Sequence, residues 1–210
     1  MQSVATWENL ATDKLYAGDL LSTAAQYTTH IGLTLNEPNA RNIGHDLIRP
    51  MPIPAERIAV YQAEDVFEHI PYEAIDPIFA DIFRVLKKGG LFRLSVPDYR
   101  CDILSARCVR NADGEIVFDP GGGGRFENGI VTGGGHVWFP TYETVKALFD
   151  RSPFAARGTV NFLHYVDAGG TSVLNPIDYA LGFVKRTPDH DARVAHPRRA
   201  MSIVVDAWKT

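Results

Sequence analysis

Asp65, Glu68 and His69 stand at i, i+3 and i+4, a spacing that sets all three on one face of a helical turn. Such a trio can hold a metal ion. A metal site needs three or four converging ligands, however, and no second cluster of comparable spacing occurs. The other histidines (His30, His45, His136, His164, His190 and His196) form no HxxxH or CxxC arrangement. No metal site is therefore expected, and Glu68-His69 reads as the start of the next helix. His136 follows three glycines and precedes Trp138 and Phe139. An imidazole there, with an ordinary pKa of about 6.5, suits a general base acting on a hydroxyl acceptor. The plainer reading is a ring packed between aromatics. Asp98 and Tyr99 follow Pro97 and either touch a substrate or make a turn. Cys101 and Cys108 have no recognisable histidine partner, which argues against a nucleophile. The GxSxG elbow of common hydrolases is also missing. Lys185, Arg186, Arg193, Arg198 and Arg199, interleaved with His190 and His196, form a basic segment suited to phosphate. Asp189 and Asp191 dilute it.

Hydrophobic patterning indicates the elements that must position these groups. Lys14 to Ala17 and Ile31 to Leu35 read as short strands, each closed by a turn: Gly18-Asp19 after the first, Asn36 to Asn39 after the second. Arg41 to Leu47 reads as a brief strand ending in His45-Asp46, and Ile58 to Ala63 as a buried one. From Tyr72 to Lys88, Ile75, Ile78, Phe79, Ile82, Phe83, Val85 and Leu86 recur at helical spacing. Lys87-Lys88 and Gly89-Gly90 supply the expected helix end. Leu91 to Val96 then makes a strand, completing a βαβ unit. Asn111 to Gly114 suggests a turn between short strands. The glycines around RFENGIVT make residues 110–135 an inserted loop, a candidate lid. Thr141 caps a helix bearing Val145, Leu148 and Phe149. Thr159 to Val166 and Met201 to Trp208 read as strands, with a helix near Pro176 to Val184 between them.

The strings VYQAEDVFEHI and IFADIFRVLKKGGLFRLSVPDY, followed by HVWFPTYETVKALF and SIVVDAWK, resemble the class I S-adenosylmethionine-dependent methyltransferases. They are most similar to small members linked to polysaccharide and cell-surface glycan pathways. The resemblance implies one Rossmann-like α/β domain over residues 1–210. Its sheet would be mostly parallel and twisted, with helices on both faces and a final antiparallel hairpin. It implies S-adenosylmethionine as cofactor, held at the carboxyl ends of the strands beside the switch in strand order. Gly18 matches the first turn, though as a single glycine rather than a glycine-rich loop. Thr34 occupies the second-strand acid position, so Asn36 or Glu37 must substitute. Asp46 matches the third-strand acid near the adenine, and Gln62 and Glu64 the fourth-strand tip near the methionine end. The implied reaction is methyl transfer to a hydroxyl or amine of a small-molecule or glycan acceptor. His136, Asp98 and Tyr99 are the catalytic candidates. The alternative is a non-catalytic relative that keeps the fold as a binding or assembly module.

Composition narrows the classes. The chain has 210 residues, 45% hydrophobic and 22% charged, which excludes disordered, collagen-like and coiled-coil classes. A net charge of −4 provides no basic excess for nucleic acid or anionic membrane. No apolar run reaches a membrane span, and Met1 to Trp7 lacks the features of a signal peptide. Two cysteines make no disulfide framework and are expected to be reduced. A soluble, cytoplasmic protein is expected, compatible with a homo-oligomer.

Overall fold

The computed structural model describes residues 3–21 and 25–210. Parallel strands come first: β1 (Lys14–Ala17), β2 (Ile31–Thr34), β3 (Asn42–Gly44), β4 (Ile58–Glu64) and β5 (Leu86–Pro97). Two small hairpins follow, β6 (Val109–Arg110) with β7 (Ile116–Phe118) and β8 (Arg125–Glu127) with β9 (Ile130–Thr132). The C-terminal strands are β10 (Gly158–Val166), β11 (Ser172–Leu174) and β12 (Ser202–Lys209). The helices are α1 (Ile75–Val85), α2 (Asp102–Arg107), α3 (Tyr142–Arg151) and α4 (Pro153–Arg157). One eight-stranded sheet has the order β11-β10-β12-β5-β4-β1-β2-β3, with β12, β10 and β11 antiparallel to their neighbours. The Rossmann-like expectation with antiparallel C-terminal strands agrees with this topology.

Successive side chains on a strand face opposite sides, so cross-strand rows sort by chemistry. Leu33, Ala17, Ala63, Leu94 and Val205 form one row and belong to the apolar core. That row faces α1, α3 and α4. The neighbouring row runs Gly32, Tyr16, Gln62, Arg93 and Asp206. It is polar, and no helix covers it among the described residues. Residues 175–200 lie over it as coil with one 3-10 turn, Ala192–Val194. Helices on both faces and a helix near Pro176 to Val184 are therefore corrected. The physical reason is competition for carbonyls. Arg93 Nη1 donates to Asp178 O (3.0 Å) and to Gly182 O, and Gln62 Nε2 donates to Phe183 O. Carbonyls engaged by the sheet are drawn away from amides four residues on.

One further expectation changes in detail. α1 buries Ile75, Ile78, Phe79, Ile82, Phe83 and Val85, as its periodicity demands. It ends at Val85 because Leu86 turns extended and pairs with Ile58, so Lys87 to Gly90 lie in β5 rather than at the helix end. Within the glycine-rich segment 110–135, β8 and β9 pair as a hairpin. α3 starts as expected, with Thr141 and Thr144 in a reciprocal capping box. Cys101 and Cys108 are unbridged. Among the described residues no helix is long and apolar enough to cross a membrane.

Candidate functional site

β1 pairs with β2 on one side and β4 on the other, which makes its tip the switch point where α/β sheets bind ligands. A cleft of about 240 Å³ opens there, lined by Gly18, Asp19, Leu33, Thr34, Asp46, Leu47, Asp65, Val66, His69 and Ile70 among others. Gly18 has φ +103°, and a Cβ there would meet Val66 Cγ2 at 3.3 Å. Only glycine takes this backbone without strain. The chain beyond Gly18 is held by the Asn42 side chain, whose Oδ1 accepts from Leu20 N (2.8 Å) and whose Nδ2 donates to Leu20 O (3.1 Å). Gly18 and Asp46 thus share one cleft. Asp46 Oδ1 also accepts from Ile48 N (3.2 Å), closing its turn. Asn36 is not on the wall; its amide bonds the carboxylate of Asp19, which is.

Gln62 and Glu64 are not brought to this cleft. They face the coil-covered side of the sheet. Glu64 accepts from Lys185 N (2.6 Å) and from Tyr27 Oη (3.1 Å), and Gln62 Nε2 donates to Tyr27 Oη (3.2 Å). Their role here is to fasten the covering segment. Burial, with Asp65 nearby, pushes the Glu64 carboxyl up to about 7. An acid with a raised native pKa binds its proton more tightly folded than unfolded. Its stabilising contribution is full below the ordinary value of 4.5 and is lost as pH rises through about 7. Glu64→Gln is expected to flatten the pH 4–8 stability profile by on the order of 2–3 kcal/mol, read from urea midpoints. An unchanged slope would contradict it.

The catalytic candidates separate. Asp98 is fully buried and accepts from Val166 N (2.6 Å) and Arg100 N (3.0 Å), so it ties β10 to the end of β5. Burial raises its carboxyl to about 6. It does not join His136. Tyr99 does: its hydroxyl donates to Asp119 Oδ2 (2.6 Å) and hydrogen-bonds His136 Nδ1. Arg107 Nη2 donates to the same Asp119 oxygen (2.6 Å). Burial holds His136 down to about 4, so its imidazole is uncharged at neutral pH.

Across from it stands Glu68, with Glu68 Oε1 3.6 Å from His136 Nε2. The His69 ring lies against His136 at a centroid separation of 4.6 Å and also lines the cleft. Two bonds hold these segments together, Val137 N to Glu68 O (2.9 Å) and Trp138 Nε1 to Phe67 O (2.8 Å). Of the helical-face trio, Glu68 and His69 meet His136, whereas Asp65 (φ +56°) pairs with Arg186. Arg186 belongs to the basic segment, where Arg193 and Arg198 also pair with carboxylates, those of Asp191 and Asp189. Sequence reasoning missed Asp119 and Arg107. Their only local signal is Asp119-Pro120 at the start of the glycine run.

No family model and no curated protein matches the chain. Solved structures do. A candidate S-adenosylmethionine-dependent methyltransferase of Listeria monocytogenes matches with TM-score 0.52 at 14% identity, covering 95% of this chain and 91% of that one. An S-adenosylmethionine-dependent methyltransferase of Mesorhizobium loti matches with TM-score 0.48 at 16% identity, covering 93% and 90%. One of Methanosarcina mazei gives 0.46 at 10%, covering 94% and 92%. At such identities likeness speaks for the fold alone. With the strand order and the cleft at β1, the chain has the class I S-adenosylmethionine-dependent methyltransferase-like fold.

Proposed function

We propose that the chain binds S-adenosylmethionine in the β1–β4 cleft and transfers its methyl group to a hydroxyl or amine of a small-molecule or glycan acceptor, in the cytoplasm. The observation that carries this reading is the convergence of Gly18 and Asp46 on one cleft at the switch point. Apolar walls from Leu33, Leu47 and Ile70 suit a flat base, and a carboxylate suits hydroxyl or amino groups. About 240 Å³ lies below the roughly 300–1,000 Å³ of sites that enclose a whole ligand. The cleft therefore fits the nucleoside part, with the rest at its open rim. When bound, the cofactor supplies an electrophilic methyl group. Gly18 allows close backbone approach, Asp46 anchors, and the chain's contribution to the step is mainly positioning. His136 is buried behind His69, so of these two rings it is His69 that lines the cleft.

Calorimetric titration with S-adenosylmethionine and S-adenosylhomocysteine tests the reading. Micromolar binding is expected, weakened about tenfold by Asp46→Ala, the effect of losing one charge-assisted hydrogen bond. Asp46→Asn controls for the turn that the side chain closes. No heat and no thermal shift at millimolar ligand would favour the second reading, a binding or assembly module. A specific observation supports that alternative. Between β1 and β2 the described residues carry only the 3-10 turn Ala25–Tyr27, and none of them presents an α-helix N-terminus to the cleft.

A further inference from the structure

Glu68 is fully buried, and neither of its carboxylate oxygens has a hydrogen-bond partner. A buried carboxylate without compensation costs several kcal/mol, so its surroundings need an explanation. The nearest polar group is His136 Nε2, at 3.6 Å, beyond hydrogen-bond range. Tautomers sharpen the problem. The Tyr99 hydroxyl gives its proton to Asp119, so His136 Nδ1 must donate to the Tyr99 oxygen, and Nε2 keeps a lone pair. His69 Nδ1 lies 2.8 Å from Gly134 O, a carbonyl that only accepts, so His69 Nε2 also keeps a lone pair. Three groups that each offer a lone pair converge here, and one ligand atom of each lies within 4.8 Å of the others.

We infer that Glu68, His69 and His136 bind a divalent metal ion of the zinc class, with one coordination position left for water or an acceptor oxygen. Two imidazoles and a carboxylate form a donor set that zinc accepts in sites with an open position. Ligands about 2.1 Å from a tetrahedral ion stand roughly 3.4 Å apart. The 3.6 Å between Glu68 Oε1 and His136 Nε2 needs little adjustment. The outer partners are those that metal-bound histidines use: a backbone carbonyl on His69, and the Tyr99–Asp119–Arg107 chain on His136. The backbone bond from Val137 to Glu68 keeps the two segments in register. Asp65 stays outside the set because Arg186 occupies it. The inference is independent of the cofactor reading.

The test uses full-length protein stripped with a chelator, then dialysed against Zn²⁺ and assayed for bound metal. Co²⁺ serves as a second probe through its d–d absorption. One ion per chain is expected, at micromolar affinity or tighter, with a Co²⁺ spectrum typical of nitrogen and oxygen ligands. Outer partners alone are worth 10–100-fold in affinity, so Glu68→Gln should weaken binding at least about 100-fold. His69→Asn, at a partly exposed position, should do the same while circular dichroism stays native. The latter variant keeps the test decisive if Glu68→Gln misfolds. Substoichiometric metal, or unchanged affinity in His69→Asn, would overturn the site.

Discussion

Asp206→Ala is expected to lower unfolding free energy by about 3–5 kcal/mol, measured by urea denaturation at neutral pH. Arg93 is wholly enclosed, and Asp206 is its only counter-ion among the described residues. The pair is bidentate, with Nε to Oδ1 and Nη2 to Oδ2 both at 2.7 Å. Removing the carboxylate leaves a fully buried guanidinium that cannot lose its proton. Charge isolation, rather than the worth of the pair, sets the size of the effect. The double variant Arg93→Met/Asp206→Leu should accordingly be less destabilised than Asp206→Ala alone. It still loses the donors that hold the Asp178 and Gly182 carbonyls. A single-variant cost below 1 kcal/mol would show that water reaches the guanidinium.

The second large effect lies on the opposite face. Phe92 is fully buried, and its ring centroid stands 5.2 Å from Phe79, 5.8 Å from Tyr61, 5.9 Å from Phe154, 6.0 Å from Phe149 and 6.1 Å from Phe67. One side chain on β5 therefore joins β4, the turn after it, α1, α3 and α4. Phe92→Ala is expected to cost about 3–5 kcal/mol, combining lost transfer energy with a cavity whose stiff aromatic walls collapse poorly. Phe92→Leu, which keeps most of the volume, should cost clearly less. Near-ultraviolet circular dichroism should weaken in the alanine variant, because five rings lose a common neighbour. Equal costs for the two variants would mean that the cavity closes.

Elements whose apolar residues follow one clear period were legible in the sequence. β1, β4, α1 and α3 lie close to where hydrophobic spacing puts them, since burial on the helical face dictates their pattern. The fold followed, because those segments fall in order around one sheet. What escaped was everything determined by polar contacts between distant parts of the chain. The segment 175–200 has helix-compatible composition near 176–184, yet its carbonyls are claimed by Arg93 and Gln62 from other strands. Local patterning carries no trace of that claim. Gln62 and Glu64 lie at the end of β4, and the pleat turns them to the covered side. Glu68 and His69 were legible as a spacing. Their completion by His136, 67 positions after His69, depends on the backbone link between Val137 and Glu68.

The way the covering segment is fastened has an evolutionary consequence. Arg93 and Gln62 grip the backbone oxygens of residues 178, 182 and 183, and Glu64 grips the amide of residue 185. Every amino acid supplies a carbonyl, and every one but proline an amide. Mutations along much of this stretch can therefore drift without loosening its attachment. Residue 182 is an exception, because a Cβ there would come within 2.3 Å of Gln62 Oε1. Homologues are thus expected to share the gripping residues on the sheet while the covering stretch diverges beyond recognition.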